Sequence, residues 1–157
     1  MVFFQHERHS SLVVHDQAGV PWRFAFGEWG WYVEQRRGAG GAVRALLRDS
    51  PAALGRARLE ADAPHGWQPQ VGSRITAQTA FDAEAARVDA LLGSLQARFA
   101  QGLGDPRWVP ELRLEVVADP QPYRLGHNSN HEVAAWLQAL GAQVDGSPAI
   151  GRWRVEP

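Results

Sequence analysis

The chemically capable side chains that stand closest together in this sequence are two histidine pairs, His6 with His9 and His127 with His131, and a serine, Ser129, between the second pair. Zinc sites use histidines at short spacings. Neither pair follows a standard ligand motif and no carboxylate is matched to them, so neither a metal nor another cofactor is expected. There are no cysteines, which removes disulfides, thiolate metal sites and a cysteine nucleophile. Gly38-Ala39-Gly40-Gly41 lacks the Gly-Lys-Ser/Thr ending of a phosphate loop.

Ser129 is the most informative of these residues because it stands directly before an apolar periodic segment. Val133, Trp136, Leu137 and Leu140 share a face at i, i+3, i+4 and i+7, which predicts a helix over 129–140 ended by Gly141. The start of a helix offers unpaired backbone N–H groups and a positive dipole end, and these stabilise a nucleophile's anion or a developing oxyanion. The same residues have a plainer reading. Ser129-Asn130-His131-Glu132 has the S-x-x-E form of a capping box, in which Ser129 only caps the helix, contributing roughly 1 kcal/mol.

The elements that must position this helix can be read from apolar periodicity. Ser10–His15 and Trp22–Phe26 are short apolar runs joined by the turn-like Asp16-Gln17-Ala18-Gly19, a hairpin pattern. Gly27-Glu28-Trp29-Gly30-Trp31-Tyr32 is aromatic, and its glycines permit close backbone approach or unusual torsions. Val43, Leu46 and Leu47 suggest a short helix before Pro51. Segments 56–62 and 74–81 read as strands. Asp82 is a plausible cap for a long helix to Ala100 with Val88, Leu91, Leu92, Leu95 and Phe99 as its stripe, and Gly102 fits its stop. Leu112, Leu114 and Val116 alternate as a strand, and a final strand covers 152–155.

Composition sets the class. The chain has 157 residues, 45% of them hydrophobic, with seven Trp and six Phe to fill one core, and a single domain over 1–157 is expected. All 16 basic residues are Arg, scattered from Arg8 to Arg154, and the net charge is −1, which gives nucleic-acid binding little electrostatic support. No run approaches the ~18 apolar residues of a membrane span. Met1-Val2-Phe3-Phe4 is too short for a signal peptide's apolar region, so a cytoplasmic location is the expectation. The Trp residues raise carbohydrate or aromatic-ligand binding, but core or lid packing is the commoner use, and Trp136 lies on the apolar helix face.

Three segments together carry a family likeness. His9-Ser10-Ser11-Leu12-Val13-Val14 is similar to an H-T-x-apolar-V-V opening. Phe26-Gly27-Glu28-Trp29-Gly30-Trp31-Tyr32 is similar to an aromatic F/I-G-W-G-x-x-x-Y segment. Tyr123-Arg124-Leu125-Gly126-His127-Asn128-Ser129-Asn130 resembles a Y-x-L-x-x-N-C-N signature, and Ala139-Leu140-Gly141 matches its helix end. In this order they resemble an uncharacterised bacterial family of the permuted NlpC-like, papain-like superfamily.

The resemblance implies an α+β fold in which a small antiparallel sheet packs against helices. It implies acyl-transfer hydrolysis of an amide, peptide or acyl-ester bond in a small-molecule, peptide or lipid substrate. It makes His9 the base and position 129 the nucleophile; Glu28, which ends the strand expected beside that of His9, is the candidate to orient the imidazole. Tyr123, Asn128 and Trp29 are its candidate substrate-binding residues. The departure is at the nucleophile, where the family has Cys and this chain has Ser129. A working serine enzyme, an inactive descendant, a cysteine replaced by design, and a binding module in which Ser129 is only a cap all fit the sequence.

Overall fold

The computed structural model describes residues 1–7, 9–35, 50–124, 126–148 and 152–156. The short helix expected near Val43–Leu47 and the glycine run 38–41 lie outside the described residues.

The chain is α+β. The strands are β1 (Val2–Gln5), β2 (Ser10–His15), β3 (Pro21–Glu28), β4 (Ser50–Arg58), β5 (Ala77–Ala80), β6 (Leu103–Val109), β7 (Leu114–Tyr123), β8 (Gln143–Ser147) and β9 (Arg152–Glu156). The helices are α1 (Trp29–Tyr32), α2 (Ala85–Ala100) and α3 (Ser129–Ala139). Seven strands form one antiparallel sheet in the order β5-β1-β2-β3-β4-β7-β6, and β8 and β9 form a separate hairpin. The sheet is larger than the small one expected. Val2-Phe3-Phe4 contributes β1, and Leu103–Val109 pairs with β7 as an edge strand.

Both faces of the sheet are covered, which is why β2 reads as a continuous apolar run rather than an alternating one. One face carries Phe3, Leu12, Val14, Phe24, Phe26, Leu54 and Val117. It packs on Val88, Leu91, Leu95 and Phe99 of α2 and on Val133, Trp136 and Leu137 of α3. Each large side chain fully buried there contributes roughly 1.5–3 kcal/mol. The other face has two patches. Val2, Phe4 and Val13 pack with Leu59 and Val71, while Ala25, Ala53, Leu114 and Val116 pack with Tyr32 of α1. Trp153 of β9 closes one flank, its ring 4.9 Å from Phe3.

Element boundaries moved where local chemistry differs from periodicity. β4 is Ser50–Arg58, not 56–62, because the chain leaves the sheet at Leu59. The cap position of α2 is Glu84, with φ −59° and ψ 130° and no side-chain bond to the helix, rather than Asp82. Leu112 belongs to the turn before β7, in which Arg113 takes a positive φ of 51°. The predicted hairpin and the helix at 129 stand close to where they were expected, and Gly141 (φ +93°) follows the end of α3. No described helix is long and apolar enough to cross a membrane.

Candidate functional site

The strand β2 alternates its side chains, so its neighbours in sequence face opposite sides of the sheet. Leu12 and Val14 face the helices and Val13 faces away. Ser10 is therefore on the helix side, and its Oγ donates to Asn130 Oδ1 of α3 at 3.0 Å. Ser11 is on the other side with His6 and Arg23. His9 belongs with that second group. Its ring stacks on His6 with centroids 4.4 Å apart and meets Tyr32 edge-on at 6.4 Å.

This placement does not bring His9 and Ser129 together as a bonded pair. No hydrogen bond joins them, and His9 Nε2 is buried without a hydrogen-bond partner. The strand residue that reaches the start of α3 is Ser10. Burial pushes His9 down to about 3, and the neighbouring His6 and Arg23 add to the shift. The ring is neutral at pH 7 and a weak base.

Ser129 is the first helical residue of α3 and is buried. Its partner is Tyr123. Burial pushes the Tyr123 phenol up; bonds from the backbone N–H and hydroxyl of Ser129 pull it partway back, and the nearby charge of Glu28 pushes it up. A phenol held above its ordinary value does not take a proton from serine at neutral pH. Ser129 does not cap its helix either. The cap is Asn128, whose Oδ1 accepts from Asn130 N at 3.0 Å and His131 N at 3.2 Å. The S-x-x-E pattern misled because Asn128, one residue earlier, is an equally good capping type.

Glu28 does not orient His9. It caps α1, its Oε2 accepting from Trp31 N at 2.6 Å. Trp29 lies in the cluster around Tyr32 and Leu114, with the Arg107 guanidinium 5.8 Å from its ring centre. Of the expected residues, the structure brings together Ser129, Tyr123, Asn128 and Glu28, while the side chains of His9 and Trp29 pack elsewhere.

Two polar networks flank this region, and sequence reading missed both. On the helix side, Arg98 of α2 donates to both oxygens of Asp119, Nε to Oδ2 at 2.6 Å and Nη2 to Oδ1 at 3.1 Å, and also to Glu132 at 3.0 Å. Burial alone would lower the Arg98 guanidinium, but these carboxylates outweigh it and hold it up. Glu132 also bonds His127 Nε2, while His127 Nδ1 donates to the Pro122 carbonyl at 3.0 Å. Both nitrogens of His127 are engaged, so this ring is not a base for Ser129.

On the other face, Arg23 is fully buried. Its Nε donates to Ser11 Oγ at 3.2 Å, the Ser11 hydroxyl donates to His6 Nε2 at 3.0 Å, and His6 Nδ1 donates to the Arg74 carbonyl at 2.9 Å. That relay fixes the neutral tautomer of His6. Burial drives His6 down to about 4 despite the bond to Arg74, and Arg23 lowers it further. Burial lowers Arg23 itself to about 10, and its Nη2 has no hydrogen-bond partner. The only signal in the sequence was an arginine inside the apolar run Trp22–Phe26.

No group of three or more metal-ligating side chains occurs among the described residues. Two hollows of the described surface lie elsewhere, and neither is lined by His9, Tyr123 or Ser129. No known protein family, curated protein or solved structure matches the chain.

Proposed function

We propose that this chain is a catalytically inert binding module related to the permuted papain-like hydrolases. It keeps their order of elements, a histidine at the start of an early strand and a helix opened at position 129, without their chemistry. One observation carries the reading: no hydrogen bond joins Ser129 to His9, whose ring stacks on His6 on the far side of the sheet while Ser10 is the strand residue that reaches α3. Nucleophilic catalysis by serine requires a base within hydrogen-bond reach. The engagement of both His127 nitrogens and the burial of Ser129 support the same conclusion.

The competing acyl-transfer reading has one observation in its favour, the unpartnered Nε2 of a neutral His9. A reactive probe separates the two. A fluorophosphonate is applied to the protein and to Ser129→Ala, and a thiol-directed electrophile to Ser129→Cys with and without His9→Ala. The inert module shows no fluorophosphonate labelling above Ser129→Ala, and thiol labelling that does not depend on His9. Labelling of the serine form, or of the cysteine form only when His9 is present, establishes a working site and overturns the reading.

A further inference from the structure

The sheet face under α2 and α3 is left open at one end. There the register aligns Trp22 with Arg58, and the next row aligns Arg56 with Glu115 and Glu115 with Trp108. These rows border a hollow of about 750 Å³, walled by the loop after β4 and the turn before β7. The volume is that of a site for a small organic ligand or a short chain of one.

Three features define what fits. The first is the indoles. Trp108 is 59% exposed, among the most exposed large apolar side chains described, and it stands on a strand otherwise short of apolar contacts. Trp22, at the other side, is fixed by donation of its Nε1 to Asp16 Oδ2 at 3.3 Å. Both offer flat apolar faces. The second is charge. Arg56, Arg58 and Arg113 face Glu60 and Glu115, three cations against two anions, and Arg56 lies 3.6 Å from Glu115. A polyanion such as nucleic acid requires a clear excess of positive charge, which this hollow lacks. The third is hydrogen bonding. The guanidinium forks of Arg58 and Arg113 supply donors and the carboxylates of Glu60 and Glu115 supply acceptors along the walls, while the Gln70 amide is taken up by the backbone of Glu60 and Gly66 and braces the loop.

Flat apolar platforms beside paired donors and acceptors, at nearly balanced charge, match a pyranose ring, which has an apolar C–H face and a rim of hydroxyls that both give and accept hydrogen bonds. From β3 to β6 there are three strand spacings, roughly 14 Å at ~4.8 Å each. That is longer than one ring. We infer that the hollow is an oligosaccharide-binding groove with Trp108 as its exposed platform. The inference rests on the reading of the chain as a binding module and gives that module its ligand class. The groove lies about six residues along the strands from the Ser129 end, roughly 20 Å, so the probe result at Ser129 does not decide it.

The test is a titration of the whole chain, followed by tryptophan fluorescence and calorimetry, with tetrasaccharides of glucose, N-acetylglucosamine and galacturonate and with a single-stranded oligothymidylate. At least one tetrasaccharide is expected to bind below ~1 mM. Trp108→Ala should weaken it about tenfold or more, Trp108→Phe should retain most of the affinity, and the oligothymidylate should not bind. Trp108 is exposed, so its variants should unfold at the temperature of the parent. Failure of all three sugars to bind, sugar binding that is indifferent to Trp108→Ala, or preferential binding of the oligothymidylate overturns the proposal.

Discussion

Ser10 Oγ donates to Asn130 Oδ1 across 3.0 Å, and this bond decides which residue of β2 faces the start of α3. Strand alternation then turns Ser11 to the other side, where His9 joins it against His6. The tie between β2 and α3 is buried at both ends. Ser10→Ala leaves the Asn130 carbonyl oxygen without its strand partner and is expected to cost about 1–3 kcal/mol. A double-mutant cycle with Asn130→Ala, read by urea unfolding, should return a coupling of about 1 kcal/mol. Additive losses would show that the bond does not hold strand to helix.

Asn128 and Ser129 are adjacent, and only one of them caps α3. Asn128→Ala removes the acceptor of two backbone N–H groups and is expected to lower stability by about 1–2 kcal/mol. Ser129→Ala removes a hydroxyl whose partner is Tyr123 and should cost less. Denaturation midpoints at unchanged m-value decide the order. If Ser129→Ala is the more damaging, the cap has been assigned to the wrong residue.

The sequence made the apolar skeleton legible because periodicity reports burial directly. The hairpin Ser10–Phe26, the stripe Val88–Phe99 and the face Val133–Leu140 all stand in the structure. It did not reveal β6, whose residues Leu103-Gly104-Asp105-Pro106-Arg107-Trp108 are exposed and carry no alternation to read. It did not separate His9 from Ser129 either. Which side of a sheet a strand-start residue faces depends on pairing register, and a shift of one residue reverses it. Nor did it disclose the Arg98–Asp119–Glu132 network, whose members are far apart in sequence and meet only after α2 and α3 dock on one face.

That network sets unequal costs on its two carboxylates. Asp119 is held by two bonds from Arg98 and also accepts from Gln121 N at 2.8 Å. Asp119→Asn leaves a largely buried guanidinium with half its compensation and is expected to cost about 3–5 kcal/mol. Glu132→Gln should cost less, because Arg98 keeps both bonds to Asp119. The comparison is made by thermal unfolding at low salt. Equal losses would mean that Arg98 is not anchored chiefly by Asp119.

The relay from Arg23 through Ser11 to His6 makes stability depend on pH in one direction. His6 and His9 titrate near 4 and 3 when folded, against an ordinary value of 6.5 when unfolded. Between those values the unfolded chain binds more protons, so stability is fully present above about pH 6.5 and is lost as the pH falls towards 3. At about 1.4 kcal/mol per unit, the two rings together account for several kcal/mol, beginning well above the range where carboxylates titrate. Burial is the larger cause of both shifts, and the charge of Arg23 contributes to each. Arg23→Met removes that charge and should raise both folded values towards 6.5. The gap to the unfolded chain narrows, and the variant loses less stability on acidification than the parent does, whatever its stability at neutral pH. Unfolding temperatures at several pH values, with imidazole resonances followed by NMR in both proteins, measure the two halves of the argument. Stability that stays flat between about pH 6.5 and 4.5 would show that burial does not hold these rings neutral, and imidazole values that fall in Arg23→Met would show that the buried cation does not add to the shift.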